Sequence, residues 1–309
     1  MSSDAHVPVL LGPVLEGLNI KQDGLYVDGT FGRGGHSSAI LKQMNADGRL
    51  IAIDRDPQAI ASAAPELTND SRFTLMRGDF ANLATCIGEK GLTGRVDGLL
   101  FDLGVSSPQL DAGERGFSFL RDGPLDMRMD PDSGVSAAEY LHSVEERELR
   151  RVIRQFGDER HATRIAREIV ATRDSRAIET TRQLADIVVS VVPAHRQRKH
   201  PATKTFQAIR IFINGELEQL EAALVQSLDL LAKGGRLCVI SFHSLEDRIV
   251  KRFIRDASRE AEPYRGMPDV PEQFRPKLKP IGKAIVATAE EIAANVRARS
   301  AHLRIAERT

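Results

Sequence analysis

Tyr26-Val27-Asp28-Gly29-Thr30-Phe31-Gly32-Arg33-Gly34-Gly35-His36, followed by Leu50-Ile51-Ala52-Ile53-Asp54, decides the fold of this chain. The first stretch reads as a buried strand, a glycine-rich turn and the start of a helix; the second is a strand ending in a carboxylate. Glycine has no Cβ, so such a turn can take φ > 0 and lie close to a ligand. An acid about 20 residues past the turn is where a doubly wound sheet holds the two hydroxyls of a ribose. The two signals together predict an adenosine-containing ligand. The glycines, at 29, 32, 34 and 35, do not spell G-x-G-x-x-G, the dinucleotide fingerprint. Asp28 inside the turn would also repel a pyrophosphate. An acid there suits a cationic ligand, and S-adenosylmethionine carries both a sulfonium and an ammonium.

Working outward, the pattern predicts strands at Leu25–Gly29, Arg49–Asp54, Phe73–Met76 and Val96–Leu103, with helices over His36–Met44 and Pro57–Leu67. The fourth strand is a nearly continuous apolar run, as in strands buried on both faces of a parallel sheet. This alternation predicts an α/β, Rossmann-like sheet. The fifth strand, Arg236–Phe242, comes late. It is fed by a helix whose stripe is Leu217, Leu220, Leu224, Leu228 and Leu231. About 100 intervening residues, helical by periodicity, amount to a domain-sized insertion. The expected organisation is a discontinuous domain, 1–111 with 215–309, carrying a helical insertion at 112–214. After a helix at Leu245–Ile254, the prolines from Pro263 to Pro280 predict an extended surface loop. Ala284–Thr288 and His302–Ala306 are expected to close the sheet as an antiparallel edge.

Lys plus Arg equals Asp plus Glu at 43 each, so only the distribution of charge can speak for an anionic partner. Cys86 and Cys238 stand far apart in apolar surroundings, which fits neither a zinc site nor a secreted disulfide framework. The apolar run Val7–Leu11 is short and lacks a basic leader, and no stretch approaches the ~20 apolar residues of a membrane span. The expectation is a soluble cytoplasmic protein.

Ligands of an open α/β sheet sit beyond the carboxyl ends of the strands, where strand order reverses. Asp102, leaving strand four in Asp102-Leu103-Gly104-Val105-Ser106-Ser107-Pro108-Gln109-Leu110-Asp111, is therefore expected at the cofactor's reactive end. This segment, Asp28-Gly29-Thr30-Phe31-Gly32-Arg33-Gly34-Gly35-His36, Ala52-Ile53-Asp54-Arg55-Asp56-Pro57, Arg115-Gly116-Phe117-Ser118-Phe119 and Pro124-Leu125-Asp126-Met127-Arg128-Met129-Asp130 together resemble the MraW/RsmH family. Pro201-Ala202-Thr203-Lys204-Thr205-Phe206-Gln207-Ala208-Ile209-Arg210 and Ser241-Phe242-His243-Ser244-Leu245-Glu246-Asp247-Arg248 extend the likeness, which runs from about His6 to Arg308. One departure is Val296, where the family pattern has proline. The resemblance implies a class I methyltransferase using S-adenosylmethionine on the N4 amine of a cytosine in 16S ribosomal RNA, at the decoding centre. It implies cofactor contacts at Gly34, Gly35, His36, Asp54, Phe80, Asp102 and Gln109. It also implies 16S ribosomal RNA or the small subunit as partner, with neither membrane nor DNA, and leaves monomer and homodimer open.

The N4 lone pair of cytosine is delocalised into the ring, so an acceptor at its N–H groups would favour attack and take the released proton. Asp102 is the candidate, and His243 a weaker substrate contact. The Asp/Asn-Pro-Pro-aromatic string of generic amino-methyltransferases is missing, which argues against a DNA enzyme. The absent dinucleotide fingerprint argues against a dehydrogenase. A non-catalytic RNA-binding factor is the remaining rival. His36, His243 and Asp102 sit at neighbouring strand ends, but no ligand spacing supports a metal. From Ile187 to Gly215 there is no acid, while Arg196, Arg198, Lys199, Lys204 and Arg210 are cationic. That run is the expected phosphate-binding surface. Arg115, Arg121 and Arg128, with Phe117 and Phe119, are expected to add stacking over the base, with burial in the insertion's own core the equal alternative for the two phenylalanines.

Overall fold

The computed structural model describes residues 8–192, 200–260, 262, 264, 266–267 and 269–309. Helix α1 (Leu11–Leu18) leads into β1 (Leu25–Asp28), α2 (Gly35–Leu41) and β2 (Arg49–Asp54). Two short helices, α3 (Pro57–Ala61) and α4 (Pro65–Thr68), precede β3 (Phe73–Arg77), α5 (Leu83–Gly88) and β4 (Val96–Asp102). Sequence periodicity runs α3 and α4 together. They are separate because Pro65 has no N–H for a helical bond, and each helix starts on its own proline.

The chain divides into two compact units, one reaching to Gly104 and resuming at Leu217–Thr309, the other spanning Val105–Glu216. The second unit holds α6 (Ser107–Asp111), α7 (Ala137–Ser143), α8 (Glu146–Gly157), α9 (Ala162–Arg173), α10 (Thr181–Val191) and α11 (Thr203–Asn214). Apolar residues at helical spacing bury one face of each long helix: Leu149, Val152, Ile153 and Phe156 on α8, Ile165 and Ile169 on α9, and Phe206 and Ile209 on α11. Asn214 fastens this unit internally. Its Nδ2 donates to Met127 O (2.8 Å) and its Oδ1 accepts from Met129 N–H (2.8 Å). Met127 between them is fully buried with a left-handed φ of 63°.

The first unit resumes through α12 (Glu216–Leu230), β5 (Leu231–Ser241), α13 (Ser244–Ala257), β6 (Leu278–Pro280), β7 (Ile285–Val286), α14 (Ala289–Ala294) and β8 (His302–Arg308). Its sheet has the order β3-β2-β1-β4-β5-β8-β6, with β7 also on β8. Strands β1 to β5 are parallel, and β8 closes against β5 in the antiparallel sense. Order therefore reverses between β1 and β4, which opens a crevice at their carboxyl ends. Successive residues feed opposite cores. Tyr26, Leu50, Ala52 and Leu100 face α1 and α2, while Val27, Ile51, Ile53, Leu99 and Phe101 face α5, α12 and α13.

Strand β5 starts earlier than its apolar run suggests. Leu231 pairs with Val96 and Arg236 with Gly98, so a register shift absorbs Lys233-Gly234-Gly235. Gly235 is needed there, since a Cβ would lie 2.7 Å from Val96 O. Strand β6 lies inside the stretch that its prolines mark as loop; Pro280 is tolerated because β6 ends the sheet.

Candidate active site

The turn after β1 is tied to both neighbouring strands. Gly29 N–H donates to Leu100 O and Phe31 N–H to Ile53 O, each at 2.9 Å. Thr30 Oγ1 accepts the N–H of Asp102 at 2.6 Å, and Gly32 N–H donates to Asp54 Oδ2 at 2.7 Å. The tips of β1, β2 and β4 thus form one rigid rim. Asp28 braces it from below: Oδ1 accepts Thr30 N–H (3.1 Å) and Oδ2 accepts the Ser37 hydroxyl (2.7 Å). Complete burial pushes the Asp28 carboxyl up, and its bonds to Ser37 and Thr30 pull it partly back. Gly34 caps α2 at φ 73°, and a Cβ there would lie 2.6 Å from Leu67 and 2.7 Å from Phe31. At Gly35 a Cβ would meet Pro8 at 2.5 Å. Both glycines are thus demanded by packing as well as by any ligand.

Asp54 ends β2. Its Oδ2 is engaged by Gly32, and its Oδ1 accepts Asp56 N–H at 2.9 Å. A carboxylate offers about four acceptor sites, so two hydroxyls can still be held. Burial pushes this carboxyl up, while the Asp56 and Gly32 N–H groups oppose the shift. Phe80, after β3, leans on Phe101 with ring centroids 5.6 Å apart and forms an apolar wall.

Asp102 ends β4 with Oδ2 3.6 Å from His36 Nδ1. Its Oδ1 is buried and has no hydrogen-bond partner among the described residues. His36 Nε2 lies 3.1 Å from Val9 O. A carbonyl only accepts, so Nε2 carries the proton and Nδ1 faces the carboxylate with its lone pair, unless one further proton is shared between them. Burial pushes Asp102 up to about 6, the His36 ring lowers it, and Asp28 and Glu246 add to the rise.

Beside this pair, His243 caps α13. Its Nδ1 accepts Glu246 N–H at 3.5 Å and its Nε2 stands 3.0 Å from Glu246 Oε1. Glu246 Oε2 accepts Phe242 N–H at 2.8 Å. His243 is thus engaged as a helix cap. Sequence reading gave no role to Glu246, Thr30 or Ser37. The spacing His243-x-x-Glu246, a capping box with histidine in place of serine, was the available signal for the first.

An acidic switch point with an unsatisfied buried oxygen suits a cationic nucleoside. Asp54 can hold its ribose, and the Asp102 Oδ1 lacks only a donor or a cation. The class so defined is the Rossmann-like, S-adenosylmethionine-dependent methyltransferase. Sequence comparison narrows it: the profile of the MraW methylase family matches residues 3–309, and the chain belongs to that family. It is therefore an enzyme that methylates N4 of a cytidine in 16S ribosomal RNA. Among solved structures, the chain is similar to a Clostridium thermocellum protein described as a candidate rRNA methylase (13% identity, 98% of this chain and 97% of that one, TM-score 0.45). It is also similar to an rRNA methylase from Streptococcus thermophilus (11%, 97% and 92%, TM-score 0.42). A candidate methyltransferase from Streptococcus mutans, solved with S-adenosylhomocysteine, matches at 11% over 98% and 100% with TM-score 0.42. Among the described residues, no helix is long and apolar enough to cross a membrane.

Seven of the expected cofactor and catalytic positions thus have clear places. Gly34, Gly35 and His36 open α2, Asp54 and Asp102 end β2 and β4, and Phe80 follows β3, all in the first unit, while Gln109 belongs to the second. There the Gln109 Oε1 accepts Ser106 N–H at 2.8 Å and caps α6. The expected cationic run fares differently. Arg196, Arg198 and Lys199, with His195, lie outside the described residues. Lys204 Nζ donates to Asp158 O at 2.6 Å, which closes the end of α8. Arg210 is held through Nε and Nη2 by Glu216, both bonds at 2.8 Å, with the pair largely buried. The acid-free window ended one residue short of that partner, so Arg210 adds no net charge to a surface. Arg115, Arg121 and Arg128 are likewise engaged within the insertion, and Phe119 stacks on His200 at 4.4 Å.

Proposed function

We propose that Asp102 accepts the proton that the cytosine N4 amine loses on methylation, and that Asp54, Phe80 and the Gly34–His36 segment hold the cofactor. The observation that carries this is the buried, unpartnered Asp102 Oδ1 at the reversal of strand order. When bound, S-adenosylmethionine supplies the electrophilic methyl group. The protein's part is to orient the amine and remove one proton as the N–C bond forms. A carboxyl pushed up to about 6 is a competent acceptor near neutral pH. His36, anchored through Nε2 on Val9 O, places Nδ1 3.6 Å from the carboxylate's second oxygen, where the proton taken up by Asp102 can be shared.

We further infer that the insertion faces the RNA, that the target lies in the decoding region of the small subunit, and that the enzyme works in the cytoplasm. In support, α8 buries its apolar face and leaves Arg147, Arg150 and Arg154 exposed on the other. The test is transfer of labelled methyl from S-adenosylmethionine to 16S ribosomal RNA, with the product nucleoside identified after digestion. N4-methylated cytidine formed by the wild type and lost in Asp102→Asn, with cofactor affinity kept, supports the assignment. Unchanged turnover in Asp102→Asn removes Asp102 as the proton acceptor.

A further inference from the structure

Helix α13 and the β6–β7 connection enclose a cavity of about 400 Å³ on the catalytic unit. Its floor is apolar, made by Ile254, Ile281 and Ile305, with Pro280 beside them. Its walls carry Lys251, Arg255, Arg259, Lys283 and Arg304, and no lining residue is acidic. Two of these cations are already matched. Arg304 is gripped by Asp247 through bonds of 2.6 and 3.0 Å, and Arg255 pairs with the adjacent Asp256. Lys251, Arg259 and Lys283 are exposed and make no close ion pair among the described residues, although Asp247 and Asp256 also act on Lys251 and Arg259 at longer range. A chain with 43 acids and 43 bases has no general surplus of cations, so three without a close ion pair around an apolar floor are a local feature rather than a reflection of overall charge.

Lys251 and Arg255 stand one turn apart, in a row on one face of α13, and Arg259 follows just past the Ser258 cap that ends the helix. The helix begins at the His243 cap, next to the carboxyl end of β5 and the Asp102 site. At 1.5 Å per residue the row starts about 12 Å beyond that cap. A single strand whose target base lies at the strand ends can therefore run along the row. On such a path phosphates would meet the cationic rim and sugar edges would rest on isoleucine. The lining has no aromatic side chain, so bases have nothing to stack on and the contact is indifferent to sequence.

We infer that this groove binds the sugar–phosphate backbone of the substrate RNA beside the target cytidine, a second contact surface on the catalytic unit itself. The inference rests on the RNA-methyltransferase reading above. The triple variant Lys251→Ala/Arg259→Ala/Lys283→Ala tests it, using fluorescence anisotropy with a labelled single-stranded RNA fragment that carries the target cytosine, titrated across salt. Three lost phosphate contacts reduce the log–log salt slope by about 0.7 × 3, or about 2. RNA affinity falls at low salt, KM for RNA rises, and kcat at saturating RNA together with S-adenosylhomocysteine affinity stay as in the wild type. An unchanged slope in the variant, with the wild type binding and methylating RNA, overturns the groove assignment alone. A wild type that neither binds nor methylates RNA overturns the reading on which it rests. If the variant instead alters the sedimentation of the protein without RNA and leaves the slope intact, the groove seats a second copy of the chain and the inference fails.

Discussion

Replacing Asp102 by asparagine should move stability and activity in opposite directions. Folding raises this carboxyl from 3.8 to about 6. A carboxyl raised in the folded state favours folding while protonated. Its contribution is complete below pH 3.8 and is lost as pH climbs through about 6. The full difference, roughly two pKa units at 1.36 kcal/mol each, is about 3 kcal/mol by pH 7 and about half of that at pH 5. Asparagine keeps the shape and never ionises. Urea unfolding should therefore show Asp102→Asn more stable than wild type by up to about 3 kcal/mol at pH 7, with a smaller gain at pH 5. Methyl transfer should fall by about 10²–10⁴-fold, the usual loss when a general base is removed. In the wild type kcat/KM should rise with pH and level off above about 6. That limb should vanish in the variant. A variant less stable at pH 7, a gain independent of pH, or a surviving acidic limb would refute the argument that a desolvated, reactive carboxylate sits at the end of β4.

Other expectations follow from the same geometry. Asp54→Ala removes the acceptor for two hydroxyls, at about 1.5–3 kcal/mol each, so calorimetry should find S-adenosylhomocysteine bound at least about 100-fold more weakly. Affinity within threefold of wild type would place the ribose elsewhere. Gly34→Ala adds a Cβ 2.6–2.8 Å from Leu67 and Phe31 at φ 73°; thermal unfolding should register a loss of about 2–4 kcal/mol from strain and overpacking together. Arg210→Ala leaves the buried Glu216 without its partner and should cost about 3–5 kcal/mol in urea. The salt slope of RNA binding should stay the same, and a shallower slope would restore Arg210 to the RNA surface. Asn214→Ala strands Met127 O and Met129 N–H, and denaturant unfolding should show a loss of at least about 2 kcal/mol.

The parts of the sheet that were legible are those where local pattern and tertiary role agree. Strand β2 is apolar from Leu50 to Ile53 and ends on Asp54, and its bounds are those the sequence predicts. The same holds for the reversal at β4 and for the antiparallel closure by β8. What escaped depends on distant partners. That Gly34 must clear Phe31 and Leu67 follows from two neighbours the turn does not announce. Arg210 looked free because its acid lies beyond the window, one turn and a half along the chain. Strand β6 has only three residues and contains a proline, so nothing local separates it from a loop; pairing with β8 creates it. At the site, the sequence identified the acids by position. It could not tell that both oxygens of Asp28 are engaged, by Thr30 and Ser37, while Asp102 keeps one oxygen bare.

The placement of β5 has a consequence for biosynthesis. β4 and β5 are adjacent, yet Val105–Glu216 separates them in the chain. As the polypeptide leaves the ribosome, β1 to β4 can assemble early, with the open side of β4 exposed as an unpaired edge until residue 231 has emerged. Such an edge is a template for wrong partners. A chain stalled within that interval should demand chaperone protection that one stalled after β8 does not.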